Sequence, residues 1–408
     1  MRPDNLTMIS NSLAERKKAT GLGFRSLFLH AWDLEDEGVD RMLDWMRAAG
    51  LNTLCLASTY HHGWFVHPHH TGHRAFMTEG DVCYFRPRKR YYQHTRLRLK
   101  PSRLCVKKDW FDEVGKRLDP DMRLVAWTIG AHNTSLGLEF PELTQRNVYG
   151  DSLPHALCPA NRDVREYLKA IVRDLAANYP LWGVQLEAFG WMGFSHGHHH
   201  ERDLVGLSSL ERELMGLCVC DACSVQAERE GVEMNLVKRA IKETLDGCFR
   251  EAPNRPKNHP ASLAELEATH PALKRFLTWR TVFIQLFISE IKRSSLKGTN
   301  CRLLLQTEFD PSLKGLVDGF GCGAYQKSAA ETARICRDAR KNIPTEWNGL
   351  IQCFIQLGMD VPKSATQLRQ IIEAVWKQGC NGINFYNRSE SPPKMLAWLA
   401  KILPAFKG

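Results

Sequence analysis

The 408-residue chain has no uninterrupted apolar stretch of about 18 residues, which excludes a helical membrane span. Its opening segment, MRPDNLTMISNSLAERKKATG, lacks the apolar stretch of a secretory signal, so the expected location is the cytoplasm. No Pro/Gly-rich linker divides the sequence, and no internal repeat recurs. With 43% hydrophobic and 25% charged residues, the composition excludes disorder and collagen-like structure. A nucleotide-binding glycine turn is also missing, since GFGCG at Gly319–Gly323 lacks the G-x-G-x-x-G spacing. Acid is absent from one region, Arg86–Lys108, which carries ten Lys and Arg. That segment accounts for the whole net charge of +10. A nucleic-acid protein spreads basic residues over a face, so the concentration weighs against nucleic acid. A solvated loop, a contact with a second copy of the chain (a homo-oligomer), or an anionic ligand remain as readings.

Cysteine, by contrast, is abundant. Thirteen in a chain without a secretory signal point to reduced thiols and to a metal site among them. Cys55, Cys301, Cys353 and Cys380 lie in apolar runs and are expected to be plain core residues.

Eight short apolar runs recur: Phe24–His30, Asn52–Ser58, Arg123–Thr128, Gly183–Phe189, Cys301–Glu308, Gly319–Tyr325, Gly349–Leu357 and Gly382–Asn387. Continuous apolar runs of this length suit strands buried on both faces, as in parallel sheets. Amphipathic stretches lie between most of them. Val39, Met42, Leu43 and Met46 show helical spacing before Gly50, and Val164, Leu168, Ile171 and Leu175 repeat it after a capping Asn161. Length alone allows two or three domains. The alternation of eight strands with helices predicts instead an α/β fold, a (β/α)8 TIM barrel, with a doubly wound sheet as the alternative. The expected organisation is an N-terminal extension over 1–22 and one barrel domain over 23–408. Long insertions are expected after strand 2 (59–108) and after strand 4 (190–262). In this fold active sites are built from the loops at the strands' C-terminal ends.

Reading only those ends narrows the search for chemistry. They offer His30, Trp32 and Asp33 after strand 1, Tyr60 and His61 after strand 2, and Trp127 on strand 3. Trp191 and His196 follow strand 4, and Tyr386 and Asn387 end strand 8. Aromatic faces beside amides, imidazoles and carboxylates suit a sugar, whose apolar ring face stacks while its hydroxyls bond at the rim. Glu187 stands out as a carboxylate in an apolar strand, where desolvation raises its pKa towards that of a general acid. Glycoside hydrolysis needs a second carboxylate. Glu308 is the expected one, with Asp310 and Asp33 behind it. Cys218, Cys220 and Cys223 form C-x-C-x-x-C, which brings three thiolates round one turn and suits tetrahedral Zn²⁺, with Cys158 as the fourth ligand. Such a closed site is structural. The clusters HPHHTGH and HGHHH carry no H-E-x-x-H spacing, so ordering of loops or bonding to a polar substrate fits them better than a catalytic metal.

Glu187 followed downstream by C-x-C-x-x-C resembles the (β/α)8 glycoside hydrolases, and the family 42 β-galactosidases in particular. The segments AAGLNTLCLASTYHHGWFVHPHH, DVCYFRP and LCPANRDVREY also resemble those of uncharacterised bacterial proteins of glycosyl-hydrolase type. The first resemblance implies structural zinc on the cysteines, with the acid/base after strand 4 and a nucleophilic Glu on strand 7. Glu187 matches the acid/base position, although Leu186 precedes it where the clan usually has Asn. Strand 7 ends Ile355-Gln356-Leu357 with no carboxylate, so the likeness stops short of the clan's retaining mechanism. The expected function is cleavage of a glycosidic bond in a small carbohydrate or glycoside by Glu187 and Glu308. A carbohydrate-binding barrel without hydrolysis, and a sugar isomerase or lyase using a His-bound metal, are the alternatives.

Overall fold

The computed structural model describes residues 22–407 apart from 71, 73, 195–202, 308, 309, 342 and 345. Eight parallel strands close into a barrel: β1 (Phe24–Leu29), β2 (Thr53–Tyr60), β3 (Arg123–Ile129), β4 (Gly183–Glu187), β5 (Arg302–Leu305), β6 (Gly319–Gly323), β7 (Leu350–Gln356) and β8 (Gly382–Tyr386). Each pairs with the next in sequence, and β8 closes on β1, with Phe24 opposite Gly382 and Leu27 opposite Phe385. Helices cover the outside, so the chain is a (β/α)8 TIM barrel. The strands are buried almost throughout because their outer residues meet helices and their inner ones fill the barrel.

Helix α1 (Ala31–Glu37) starts directly after β1, where the sequence reads as a strand end. Asp33 draws the chain into it: its carboxylate accepts the backbone N–H of His30 across 2.8 Å. Helix α2 (Val39–Ala48) follows, and α3 (Arg162–Asn178) runs from a capping Asn161 with the expected apolar face of Val164, Leu168, Ile171 and Leu175. The crossover between β5 and β6 holds one 3₁₀ turn, Pro311–Leu313.

Both expected long loops are present. The one after β2 carries a small hairpin, Trp64–Val66 with Ala75–Met77, and a strand Val82–Cys83 that pairs antiparallel with the end of β2. Its basic part is folded down on the protein. Arg88 donates to the buried Asp174 and to Tyr179, Arg96 pairs with Asp163 and Glu142, and Lys108 pairs with Glu35. Part of the positive charge is thus met inside the chain, by Asp163 and Asp174 on α3 and by Glu35, Glu79 and Glu142 elsewhere. Beyond β4 come helices Ser209–Gly216, Asp221–Arg229 and Met234–Glu251, which build a second apolar cluster with Leu214, Val237, Ile241 and Phe276, apart from the barrel core. No helix among the described residues is long and apolar enough to cross a membrane.

Candidate active site and cysteine centre

The barrel interior is polar at one level and aromatic above it. Gln185 on β4 donates to Gln306 and accepts from Gln352 on β7, both across 3.0 Å, and Asn384 on β8 reaches Gln352 across 3.4 Å. Side chains alternate along a strand, so Glu187, two residues beyond Gln185, points the same way one level higher. There Trp127 on β3 donates its indole Nε1–H to Glu187 Oε2 across 2.6 Å. Tyr60 and Tyr386 meet by their hydroxyls at 3.2 Å, and their rings pack edge-on against Trp127. Tyr325, after β6, packs on Tyr386, and its hydroxyl is directed towards the Gln306 side chain.

Burial pushes the Glu187 carboxyl above its ordinary range, and the Trp127 hydrogen bond offsets part of that rise. Among the described residues no cationic side chain contributes to holding it ionised. The carboxyl is therefore biased towards its protonated form, as a general acid needs. Directly after it, Ala188 takes a left-handed φ of 55°, an uncommon conformation for a residue with a Cβ.

His30 is fully buried and stacked on Trp32 at 4.1 Å. Ser389 Oγ donates to Asp33 Oδ1 across 2.7 Å and accepts from Trp32 Nε1 across 2.9 Å. Its remaining lone pair accepts from His30 Nδ1 at 3.2 Å. That assignment puts the proton on Nδ1 and leaves Nε2, which has no partner among the described residues, as a buried acceptor. Burial lowers the His30 pKa, which keeps the ring neutral.

His30, Trp32, Asp33, Tyr60, Trp127 and Asn387 all gather around this mouth, but they are buried and make its wall and floor. The side chains left partly open are Glu187, Tyr325, Tyr386, Gln306 and Gln356, with His61 stacked between Tyr60 and His132. Trp191 lies elsewhere. Its ring packs on Trp279 and Phe283 beside the cysteines. His196 and Glu308 lie outside the described residues. Asp310 accepts from Ser312 and Gln285. Gln356, at the end of β7, stands in register with Tyr386.

One carboxylate escaped the sequence reading. Glu390, after β8, bonds Asn387 through both its backbone N–H and its carboxylate, at 2.9 and 3.0 Å. Burial raises its pKa, and Asp33 adds to the rise. Tyr60 and Tyr386 feel the charge of both Glu187 and Glu390.

The cysteine centre lies on the loops beyond β3 and β4. Cys158 follows the hairpin Thr144–Arg146/Ser152–Leu157, and its thiol lies 3.5 Å from Cys223, 3.8 Å from Cys218 and 3.6 Å from Cys220. A Zn–S bond of about 2.3 Å puts the corners of a tetrahedron about 3.8 Å apart, so the four sulfurs have the spacing of a tetrathiolate site. All four are buried. Arg280 stacks on Trp191 at 4.3 Å, and its Nη1 is buried without a hydrogen-bond partner among the described residues. Burial lowers its pKa, and Cys223, Cys218 and Cys158 offset part of that fall. A guanidinium beside neutral thiols would be poorly matched, whereas beside a doubly negative metal tetrathiolate it balances charge. These residues can hold a metal ion.

Two histidines of the loop after β2 bond to protein. His69 pairs with Glu37 and reaches the Ser391 carbonyl, and His70 pairs with Asp36.

Comparison with known proteins reinforces the fold. No family pattern matches the chain, and no curated protein matches it in sequence. Solved structures do. The catalytic domain of β-amylase from Paenibacillus polymyxa is 11% identical with a TM-score of 0.56, over 95% of this chain and 99% of that one. The glycoside hydrolase domain of PgaB (BpsB) from Bordetella bronchiseptica is 12% identical with a TM-score of 0.56, over 94% and 99%. An α-L-fucosidase isoenzyme from Paenibacillus thiaminolyticus is 12% identical with a TM-score of 0.52, but this chain spans 49% of its length. At such identities the likeness is one of fold.

Proposed function

We propose that the protein is a glycoside hydrolase-like enzyme that cleaves a glycosidic bond in a small carbohydrate or glycoside. The observation that carries this reading is the Glu187 carboxyl: its pKa raised by burial, unopposed by any cation among the described residues, and set among Trp127, Tyr60, Tyr325 and Tyr386 at the end of β4. In its protonated form it delivers a proton to the leaving oxygen. Tyr386 and Tyr325 offer the partly open aromatic surface, while Gln306, Gln356 and His61 supply hydrogen-bonding groups for hydroxyls. That the structural neighbours include glycoside hydrolases supports the assignment. The second carboxylate is assigned to Glu308, which follows the strand paired with β4; Glu390 across the mouth is its competitor. We further assign Zn²⁺ to Cys158, Cys218, Cys220 and Cys223, where it clamps the loops after β3 and β4 and activates no water, since four thiolates close the site.

A second reading rests on Gln356. A neutral amide at the end of β7 suits a barrel that binds carbohydrate without cleaving it. Hydrolysis of a panel of aryl and natural glycosides decides between them. The enzyme reading expects turnover by the wild type and a loss of about 10²–10⁴-fold in Glu187→Gln on substrates with poor leaving groups. Sugar binding without turnover across the panel would transfer the assignment to the binding barrel.

A further inference from the structure

Cys353 and Cys380, read from sequence as plain core residues, do not sit alone. Gly321 on β6 and Gln352 and Phe354 on β7 face into the barrel: a Cβ on Gly321 would strike the Phe354 ring, and Gln352 bonds Gln185. The alternation along each strand therefore turns Cys322 and Cys353 outward, and the two stand opposite each other in register. Cys336 descends on them from helix Ala329–Lys341, where it is one of two fully buried residues. Cys380 arrives from the turn into β8, behind helix Ala365–Lys377, where Gly379 takes a φ of 80° to reverse the chain. The sulfurs of Cys322, Cys336 and Cys353 lie within 4.8 Å of one another. Cys380 adjoins this trio, and its thiol interacts with those of Cys322 and Cys336. All four residues are at most 2% exposed.

We propose that Cys322, Cys336, Cys353 and Cys380 form a second metal centre, a closed Zn²⁺ tetrathiolate between the barrel wall and its helices. The spacing sets the class of metal. Three sulfurs within 4.8 Å of one another suit tetrahedral zinc, whose corners lie about 3.8 Å apart, with the adjoining Cys380 as the fourth ligand, and leave no room for the sulfide core of a four-iron cluster. Four thiolates leave no position for water, so the ion is structural. It binds two adjacent strands, the helix between them and the turn into β8. Those are the units that carry Tyr325, Gln356 and Tyr386, so the centre fixes the half of the mouth that the Cys158 centre does not reach. This inference is independent of the reaction assigned to Glu187.

The test is metal content by mass spectrometry on the full chain, purified under reducing conditions with zinc supplied. Two equivalents are expected in the wild type. Cys336→Ser should lose one, and Cys220→Ser the other. The Cys220→Ser protein is the safeguard should Cys336→Ser fail to fold. The single equivalent left in it, exchanged for Co²⁺, should give the intense sulfur-to-cobalt absorption of a tetrathiolate. A wild type with at most one equivalent, lost completely in Cys220→Ser, would overturn the proposal. So would a Cys336→Ser protein with unchanged metal content. If Cys220→Ser retains both equivalents while Cys336→Ser loses one, the second centre stands and the Cys158 assignment falls.

Discussion

Trp127 and Glu187 stand on neighbouring strands two residues out of register, the indole N–H donating to the carboxylate over 2.6 Å. This bond and burial act on Glu187 in opposite directions, and burial is the larger. The first prediction follows from their balance. Trp127→Phe removes a donor that favours the ionised form, so the Glu187 pKa should rise further. The alkaline limb of kcat/KM, which reports the protonated acid in the free enzyme, should move to higher pH. Carboxyl NMR of labelled Glu187 reads the same shift without a substrate. A limb that stays put or moves to lower pH counts against Glu187 as the acid.

The second prediction separates the two candidate partners. If Glu308 is the nucleophile or base, Glu308→Gln should be inactive on poor and activated glycosides alike, and azide should restore cleavage with a stereochemistry that reports the mechanism. Glu390→Gln should then retain turnover, with KM altered through Asn387. Loss in Glu390→Gln with azide rescue, and none in Glu308→Gln, would exchange the two roles.

Much of this arrangement is legible in the residues. Eight apolar runs stand where eight strands form, because strands covered on both faces need no polar alternation. Glu187 is conspicuous as a charge in such a run. Other features depend on contacts that no local pattern carries. Trp191 follows β4 as a site residue would, yet Trp279 and Phe283, from a distant helix, take its ring. Glu390 sits in NRSESPP, which reads as a turn, and only the closure of β8 on β1 brings it near Asp33. Cys353 and Cys380 resemble core residues because their partners come from three separate β/α units. The start of α1 is hidden by the apolar residues that precede it.

The third prediction concerns the Cys158 centre. Structural metal binding contributes folding free energy, so Cys220→Ser should lose zinc and lower the melting temperature together. Arg280→Met tests the charge balance. Removing the guanidinium beside a negative tetrathiolate should weaken zinc retention by about 10–100-fold in competition with a chelator. Unchanged retention would mean that Arg280 serves only to pack on Trp191.

The last prediction concerns Glu37, which joins α1 to the loop after β8. Arg388 donates to both of its oxygens, at 2.9 and 2.6 Å, and His69 lies 3.6 Å away. Burial alone would raise its pKa, but the ion pair with His69 and the hydrogen bonds and charge of Arg388 outweigh it and hold the carboxyl at about 2. A carboxylate whose folded pKa lies below its ordinary value stabilises the fold above that ordinary value, near 4.5. The contribution fades as pH falls from there towards 2, because the folded state must then take up the proton that the unfolded state already holds. Glu37→Gln should cost about 1.5–3 kcal/mol at pH 7, the range for hydrogen bonds to a charged group. Denaturant midpoints of the two proteins should converge between pH 4.5 and 2. A difference that persists undiminished to the lower pH would show that Glu37 acts by shape and not by charge. Arg388 also stacks on Trp45 and directly precedes Ser389 and Glu390, so releasing it loosens the same loop that holds His30 and Asn387. Glu37→Gln should therefore raise KM on any substrate the mouth accepts, and a KM unmoved by the substitution would detach this ion pair from the site.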